Sequence, residues 1–387
     1  MNYNVAQKGA GQERAEKRLQ SFITFGKSRG MSFIEAIQKM VIRPLKVFTS
    51  DMRFEMPENG LPNYFVRMGD GELALTLHPH AFSRMRQEID LSSTTTKAML
   101  EGPQWDRKNL EMLLNSKFKN KGFSQRGGGS PRFINLTVGT QVRGFVGRGF
   151  KRHLKSGPLL ESFIKACAAY GAMPVSASAT DLRVIMQCML PYVFSPTNEE
   201  YMAIGVTFSN SDFGAGAFRI DLTVMNLRNG VLMPARTLNG SGRGETHQGG
   251  KGEDDSYDST ELSEDTISKL LRAKQGEVFD LVSAALRSDK VNEFFEEVAM
   301  AMENSISWAR FERYLKGKLT QTELETVQNL LKKEGKSEEL PEVKYDMDGK
   351  AVMNLWFASN VIGHIAANAG ERQEDLQMAA GRLLLGG

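Results

Sequence analysis

The chain has 387 residues, of which 41% are hydrophobic and 25% charged. That is an ordinary folding composition, with length for roughly two or three domains' worth of core, and it excludes a disordered tail or a mini-protein. Its net charge of +3 balances 49 Lys and Arg against 46 Asp and Glu. No stretch approaches the roughly 20 apolar residues of a membrane span. The first 18 residues have no apolar core behind their charges, so neither a membrane partner nor a secretory signal is expected, and a cytoplasmic location is. Two cysteines, Cys167 and Cys188, suit a reducing compartment and cannot build a disulfide framework.

Residues 1–30 are polar and glycine-bearing without a clear period, and read as a flexible arm or a marginal helix. Ser32 with Glu35 forms a capping box, and Phe33, Ile37, Met40 and Val41 then recur at helical spacing up to Pro44. Residues 63–78 read as a hairpin about the Gly69-Asp70-Gly71 turn, and Pro79 opens a helix. A helix is expected around 105–116, a glycine tract at 127–130, a strand at 132–138 and a helix at 158–170. In that last helix Leu160, Phe163, Ile164 and Cys167 share a face, so Cys167 reads as a small buried hydrophobe.

The clearest strands follow. Met202, Ile204, Val206 and Phe208 alternate with small or polar residues, as do Phe218, Ile220, Leu222 and Val224. One buried and one polar face is the mark of an antiparallel sheet, and Asn229-Gly230 marks a further hairpin. From Glu261 onward helices dominate, with Thr320 and Glu323 capping one of them and a polar spacer at 333–342. The fold class is therefore α+β: a mainly antiparallel sheet with flanking helices in residues 31–260, then a helical C-terminal region in 261–387.

Charge is uneven. Residues 107–155 hold twelve Lys and Arg against the single carboxylate of Glu111, a local excess of +11, with phenylalanines set among them. Residues 253–265 hold seven carboxylates and no cation, and read as an exposed acidic loop. Lysine and arginine release counterions from phosphates, and aromatic rings offer faces to unpaired bases. The residues expected to bind nucleic acid are Arg126, Arg132, Arg143, Arg148, Lys151 and Arg152, with Phe145 and Phe150 as stacking rings. A solvated face is the plain alternative.

No cofactor signature is present. Gly144–Phe150 lacks the spacing of a phosphate-binding loop, and no dinucleotide fingerprint follows a strand. His78 and His80 read as hydrogen-bonding histidines at a helix start, without a third metal ligand. Asp212, Asp221, Glu245 and His247 are the residues that could gather round a divalent ion.

Several stretches together resemble the phage- and plasmid-borne family called domain of unknown function 932. They are Asn210, Ser211, Asp212, Gly214, Gly216 and Ala217, the strand running to Asn229-Gly230, and His247 with Gly249. The basic strand-turn before the 158–170 helix and the C-terminal segment are similar too. Leu227 and Thr246 depart from residues common in that family, a cysteine and an arginine respectively. The resemblance implies a bacteriophage or other mobile-element context and no particular activity. The function expected is non-enzymatic nucleic-acid binding, with DNA as partner, in replication, recombination or strand handling. A self-assembling, homo-oligomeric structural protein and a metal-dependent nuclease are the alternatives.

Overall fold

The computed structural model describes residues 9–121, 132–147, 149–197, 200–247, 262–332, 344–345 and 351–386. The first element corrects the sequence reading. Helix α1 (Ala10–Lys39) is one continuous helix of 30 residues, where the sequence suggested a flexible arm and a later start at Ser32. Ser32 lies inside it and donates its hydroxyl to the Arg29 carbonyl. The glycines that look like breakers are contact points. A side chain on Gly26 would run into the Pro174 carbonyl, and one on Gly11 into the Tyr201 phenol. Close approach lets Ala15, Leu19 and Ile23 bury against Val175, Met189 and Ala203, and this packing outweighs a glycine penalty of about 1 kcal/mol per site.

The first sheet is built from β1 (Arg43–Phe48), β2 (Met52–Glu55), β3 (Asn63–Met68) and β4 (Gly71–Leu77), then, after helices α2 (Pro79–Glu88), α3 (Ser93–Glu101) and α4 (Gln104–Lys121), from β5 (Arg132–Val138) and β6 (Gln141–Val146). Its order is β1-β5-β6-β4-β3-β2. All neighbours are antiparallel except β4 and β6, which run parallel. The expected β3–β4 hairpin turns at Gly69, whose φ of +60° lies in the left-handed region that glycine tolerates. Helix α4 closes this core, placing Leu110, Leu114 and Phe118 with Phe54, Tyr64 and Phe145.

After α5 (Ser156–Ala169), the second sheet is an antiparallel meander of β7 (Met173–Ala179), β8 (Val184–Met189), β9 (Met202–Asn210), β10 (Arg219–Asn226) and β11 (Leu232–Thr237). The β10–β11 turn carries the expected glycine, Gly230, at φ +75°. Ile204, Val206, Phe208, Ile220, Leu222 and Val224 join Leu159 and Phe163 of α5 in the largest core. Cys167 of α5 and Cys188 of β8 are both buried there, and burial, with Cys188 alongside, holds the Cys167 thiol well above its ordinary range.

The C-terminal region contains α6 (Glu264–Ala285), α7 (Ser288–Glu303), β12 (Ser305–Ser307), α8 (Trp308–Leu315), α9 (Gln321–Lys332), β13 (Lys344–Tyr345), β14 (Ala351–Asn354), α10 (Leu355–Ala366) and α11 (Gln373–Leu384). It is helical as expected, except for a three-stranded sheet β12-β14-β13. Residues 351–354, within the region expected to be mainly helical, pair as a strand, and Asn354 then caps α10 by accepting from the Phe357 amide. Thr320 and Glu323 bond reciprocally at the start of α9, as their spacing predicts.

Strands β9 and β10 are buried on both faces. The alternate face, expected to be solvated, is covered. Apolar Ala203 and Met225 lie in the cluster formed with α1, while Ser209 donates to Glu374 of α11 (2.6 Å). A polar row crosses the strands beneath: Gln187 to Thr207 at 3.4 Å, and Thr207 to Thr223 at 2.6 Å.

Candidate functional site

Of the residues that carried the family resemblance, the segment 210–217 and His247 meet in space, while Asn229-Gly230 lies at the other end of β10 and Gly249 lies outside the described residues. The segment 210–217 leaves the end of β9 and meets β6, the start of α5, His80 of α2 and Arg183 just before β8. Asn210 donates through Nδ2 to the Leu154 carbonyl (2.9 Å) and to the Ser156 hydroxyl (3.0 Å). Its Oδ1 must therefore accept from His247 Nε2 at 2.7 Å, which places a proton on Nε2 and, in the neutral ring, the lone pair on Nδ1. That Nδ1 is buried and has no hydrogen-bond partner. Burial holds the His247 pKa down at about 4, from an ordinary value of 6.5. Phe150 stacks on the imidazole with ring centroids 5.3 Å apart, and the Lys151 amide donates to the His247 carbonyl at 2.7 Å.

Asp212 accepts the Ser156 amide at 2.7 Å, satisfying an open donor in the first turn of α5. Desolvation raises its pKa nonetheless. Arg183 clamps the loop from the other side, donating Nε (3.0 Å) and Nη2 (2.7 Å) to the Ala215 carbonyl. Gly144 of β6 presses against the Phe213 backbone, where a side chain would collide.

Beside this loop opens a cleft of about 560 Å³, lined by His80, Ser83, Arg84 and Gln87 of α2, residues 214–217, Thr246 and His247. No carboxylate stands among those lining residues. His78 caps α2 by accepting the His80 amide on Nδ1 (3.1 Å), the helix-start role its position suggests. His80 Nε2 lies 3.3 Å from the Phe213 carbonyl. Desolvation lowers the His80 pKa, the hydrogen bond to the Phe213 carbonyl opposes it, and the Arg84 and Arg183 guanidinium groups add to the lowering. With both histidines held down by burial, the positive charge among the lining residues is that of Arg84.

The basic segment does not form one open groove among the described residues. Arg107 is buried, and its guanidinium serves the carbonyls of Pro57, Gly60 and Leu100. Lys108 pairs with Glu111, and Lys121 with Glu88 at 3.0 Å. Of the residues expected to grip phosphates, Arg143 bonds Gln141 (2.9 Å) and pairs with Asp181 (3.2 Å). Lys151 pairs with Glu245 (3.2 Å), and Arg152 with Glu264 (2.6 Å). Arg126 and Arg148 lie outside the described residues, as do 253–261 of the acidic segment; Arg132 is described only as the strand residue paired with Phe48.

The two expected stacking rings point inward. Phe145 is 2% exposed, stacked on Phe133 at 4.6 Å and edge-on to Phe118 at 6.1 Å; Phe150 is 4% exposed beneath His247. Neither can offer a face to a base. Strand alternation is the reason: β5 and β6 turn Phe133 and Phe145 toward α4, whose own Phe118 fills the same core.

The four residues considered for a divalent ion are engaged separately. Asp221 accepts from Thr237 (2.5 Å) and Arg219 (3.2 Å). Glu245 is pushed up by burial, but Lys274 at 2.6 Å and Lys151 outweigh that and hold its carboxyl below the ordinary value. Among the described residues no group of three or more His, Cys, Asp and Glu is placed to hold a metal ion. Sequence reasoning missed His80, Arg84 and Arg183 as partners of the 210–217 loop, because nothing in one-dimensional spacing links α2 and β8 to it. Compared with known proteins, the chain matches no family model, no curated protein and no solved structure.

Proposed function

We propose that the protein binds nucleic acid without transforming it, in the DNA handling of a phage or another mobile element. The observation that carries this reading is the cleft at the 210–217 loop, whose described wall offers the Arg84 cation, two histidines as hydrogen-bonding groups, glycine-rich backbone and no carboxylate. Arginine and closely approachable backbone amides are the groups that position a phosphodiester, and the +11 excess of residues 107–155 adds long-range attraction for a polyanion. With Phe145 and Phe150 in the core, the grip falls on phosphates, so tolerance of base sequence is expected. The resemblance of 210–217 and His247 to the phage and plasmid family supports the mobile-element setting.

The test is fluorescence anisotropy with labelled single- and double-stranded DNA over a salt series, on the wild type, Arg84→Gln and Arg84→Glu. Among the described residues the side-chain bond of Arg84 is to Gln87 on its own helix, so the fold should survive both changes. Expected are salt-steep binding and a variant slope shallower by about 0.7–0.9, the share of one phosphate contact. Absence of binding, or binding indifferent to salt and to Arg84, sinks the reading.

A further inference from the structure

A second cationic cleft lies away from the 210–217 loop, and its residues carried no expectation in the sequence. It measures about 750 Å³ and is lined by Gly11, Arg14, Ala15, Lys17 and Arg18 of α1, Tyr201 just before the start of β9, and Leu227 and Arg228 of the β10–β11 turn. Three cations of α1 share one concavity with Arg228, more than 200 residues away in sequence, whose guanidinium pairs with Glu200 at 3.8 Å beside the lining Tyr201; no carboxylate stands among the described lining residues themselves. We infer that this cleft is a binding site for a phosphate group, carried either by a nucleic-acid strand or by a small phosphate ester. The inference does not rest on the role proposed for the 210–217 cleft.

Three features support it. Arg14, Lys17 and Arg18 stand at i, i+3 and i+4 on one helix face, where like charges repel and destabilise an empty helix. An anion between them would reverse that. Arg18 is already oriented, donating to the Leu227 carbonyl (3.2 Å) and to the Arg228 carbonyl, so less of its freedom is lost on binding. Arg14 and Lys17 are exposed and have no described bond to any protein group, leaving their donors for a ligand. The concavity itself depends on Gly11, since any side chain there would collide with the Tyr201 phenol.

The experiment compares the wild type with the double variant Arg14→Gln/Lys17→Gln and with the charge-preserving Arg14→Lys/Lys17→Arg, using a labelled oligonucleotide and a fluorescent ADP analogue across salt; circular dichroism and Tm check the fold. If the strand is the carrier, the Gln variant binds the oligonucleotide at least ten-fold more weakly, with a salt slope shallower by about 1.5, and the charge-preserving variant keeps affinity. If a small ester is the carrier, the wild type binds the ADP analogue and the Gln variant loses it, even where no oligonucleotide binds and the nucleic-acid reading of the other cleft has failed. Equal binding of both probes by wild type and Gln variant, or no binding of either by the wild type, overturns the inference whatever Arg84 does.

Discussion

The Asn210–His247 pair couples the fold to pH. His247 is held near 4 by burial, against about 6.5 in an unfolded chain. The folded state therefore disfavours the charged ring, and the unfolded state binds the extra proton between those values. Stability is complete above about pH 6.5 and falls as the pH drops toward 4, by about 3 kcal/mol in all from this one group. His247→Gln should flatten that part of the urea-midpoint profile between pH 7 and 4; an unchanged profile would mean the ring is solvated. Asn210→Ala strips three partners at once, and the buried groups left open cost on the order of 1–3 kcal/mol each. Residue types alone made Asn210 and His247 visible as a motif. Their contact was not legible, because 36 intervening residues fold away before the imidazole returns to the amide.

At the scale of elements, helix α1 shows why glycine misleads. In isolation Gly26 weakens a helix, so replacing it with alanine should stabilise by about 1 kcal/mol. Against the sheet the sign reverses: the new methyl meets the Pro174 carbonyl and the Val175 backbone, and overpacking costs roughly 1–3 kcal/mol. Gly276 in α6 has open space where a methyl would stand, with nothing within 4 Å, and serves as the control. Gly26→Ala should lower Tm and Gly276→Ala raise it; the same sign in both would mean α1 is not docked. Strands β9 and β10 were legible because alternation is a two-residue property, and the turns at Gly69 and Gly230 because their left-handed backbone selects glycine locally. The cover over the polar face was not, since α1 and α11 arrive from the two ends of the chain. The phenylalanines of the basic segment escaped reading for the same reason, as their direction is set by α4 on the far side of the sheet.

Across the whole molecule, the opposite charges noticed along the chain meet within it. Arg152 of the basic segment pairs with Glu264 at the edge of the acidic one, and Lys151 and Lys274 enclose Glu245. This internal matching means that a net charge of +3 is not spread evenly: pairs neutralise the ground between α5 and α6, while Arg84 at the α2 cleft and Arg14 and Lys17 at the start of α1 are among the cations with no described carboxylate partner. Reversing Lys151 and Arg152 would therefore break ion pairs as well as alter the surface, so loss of DNA binding in such a variant should come with a lowered Tm, whereas Arg84→Gln should leave Tm within about 1 °C, consistent with a surface change of under 0.5 kcal/mol.

Cys167 and Cys188 give the molecule a chemical clock. Each is about 1% exposed, and the Cys167 thiol is held protonated far above neutral pH. A disulfide reagent can reach them only when α5 lifts from β8, since the thiolate is the reacting form and neither sulfur meets solvent in the closed state. The rate at which the wild-type chain consumes such a reagent, read without any engineered probe, should therefore track the frequency with which its largest core opens.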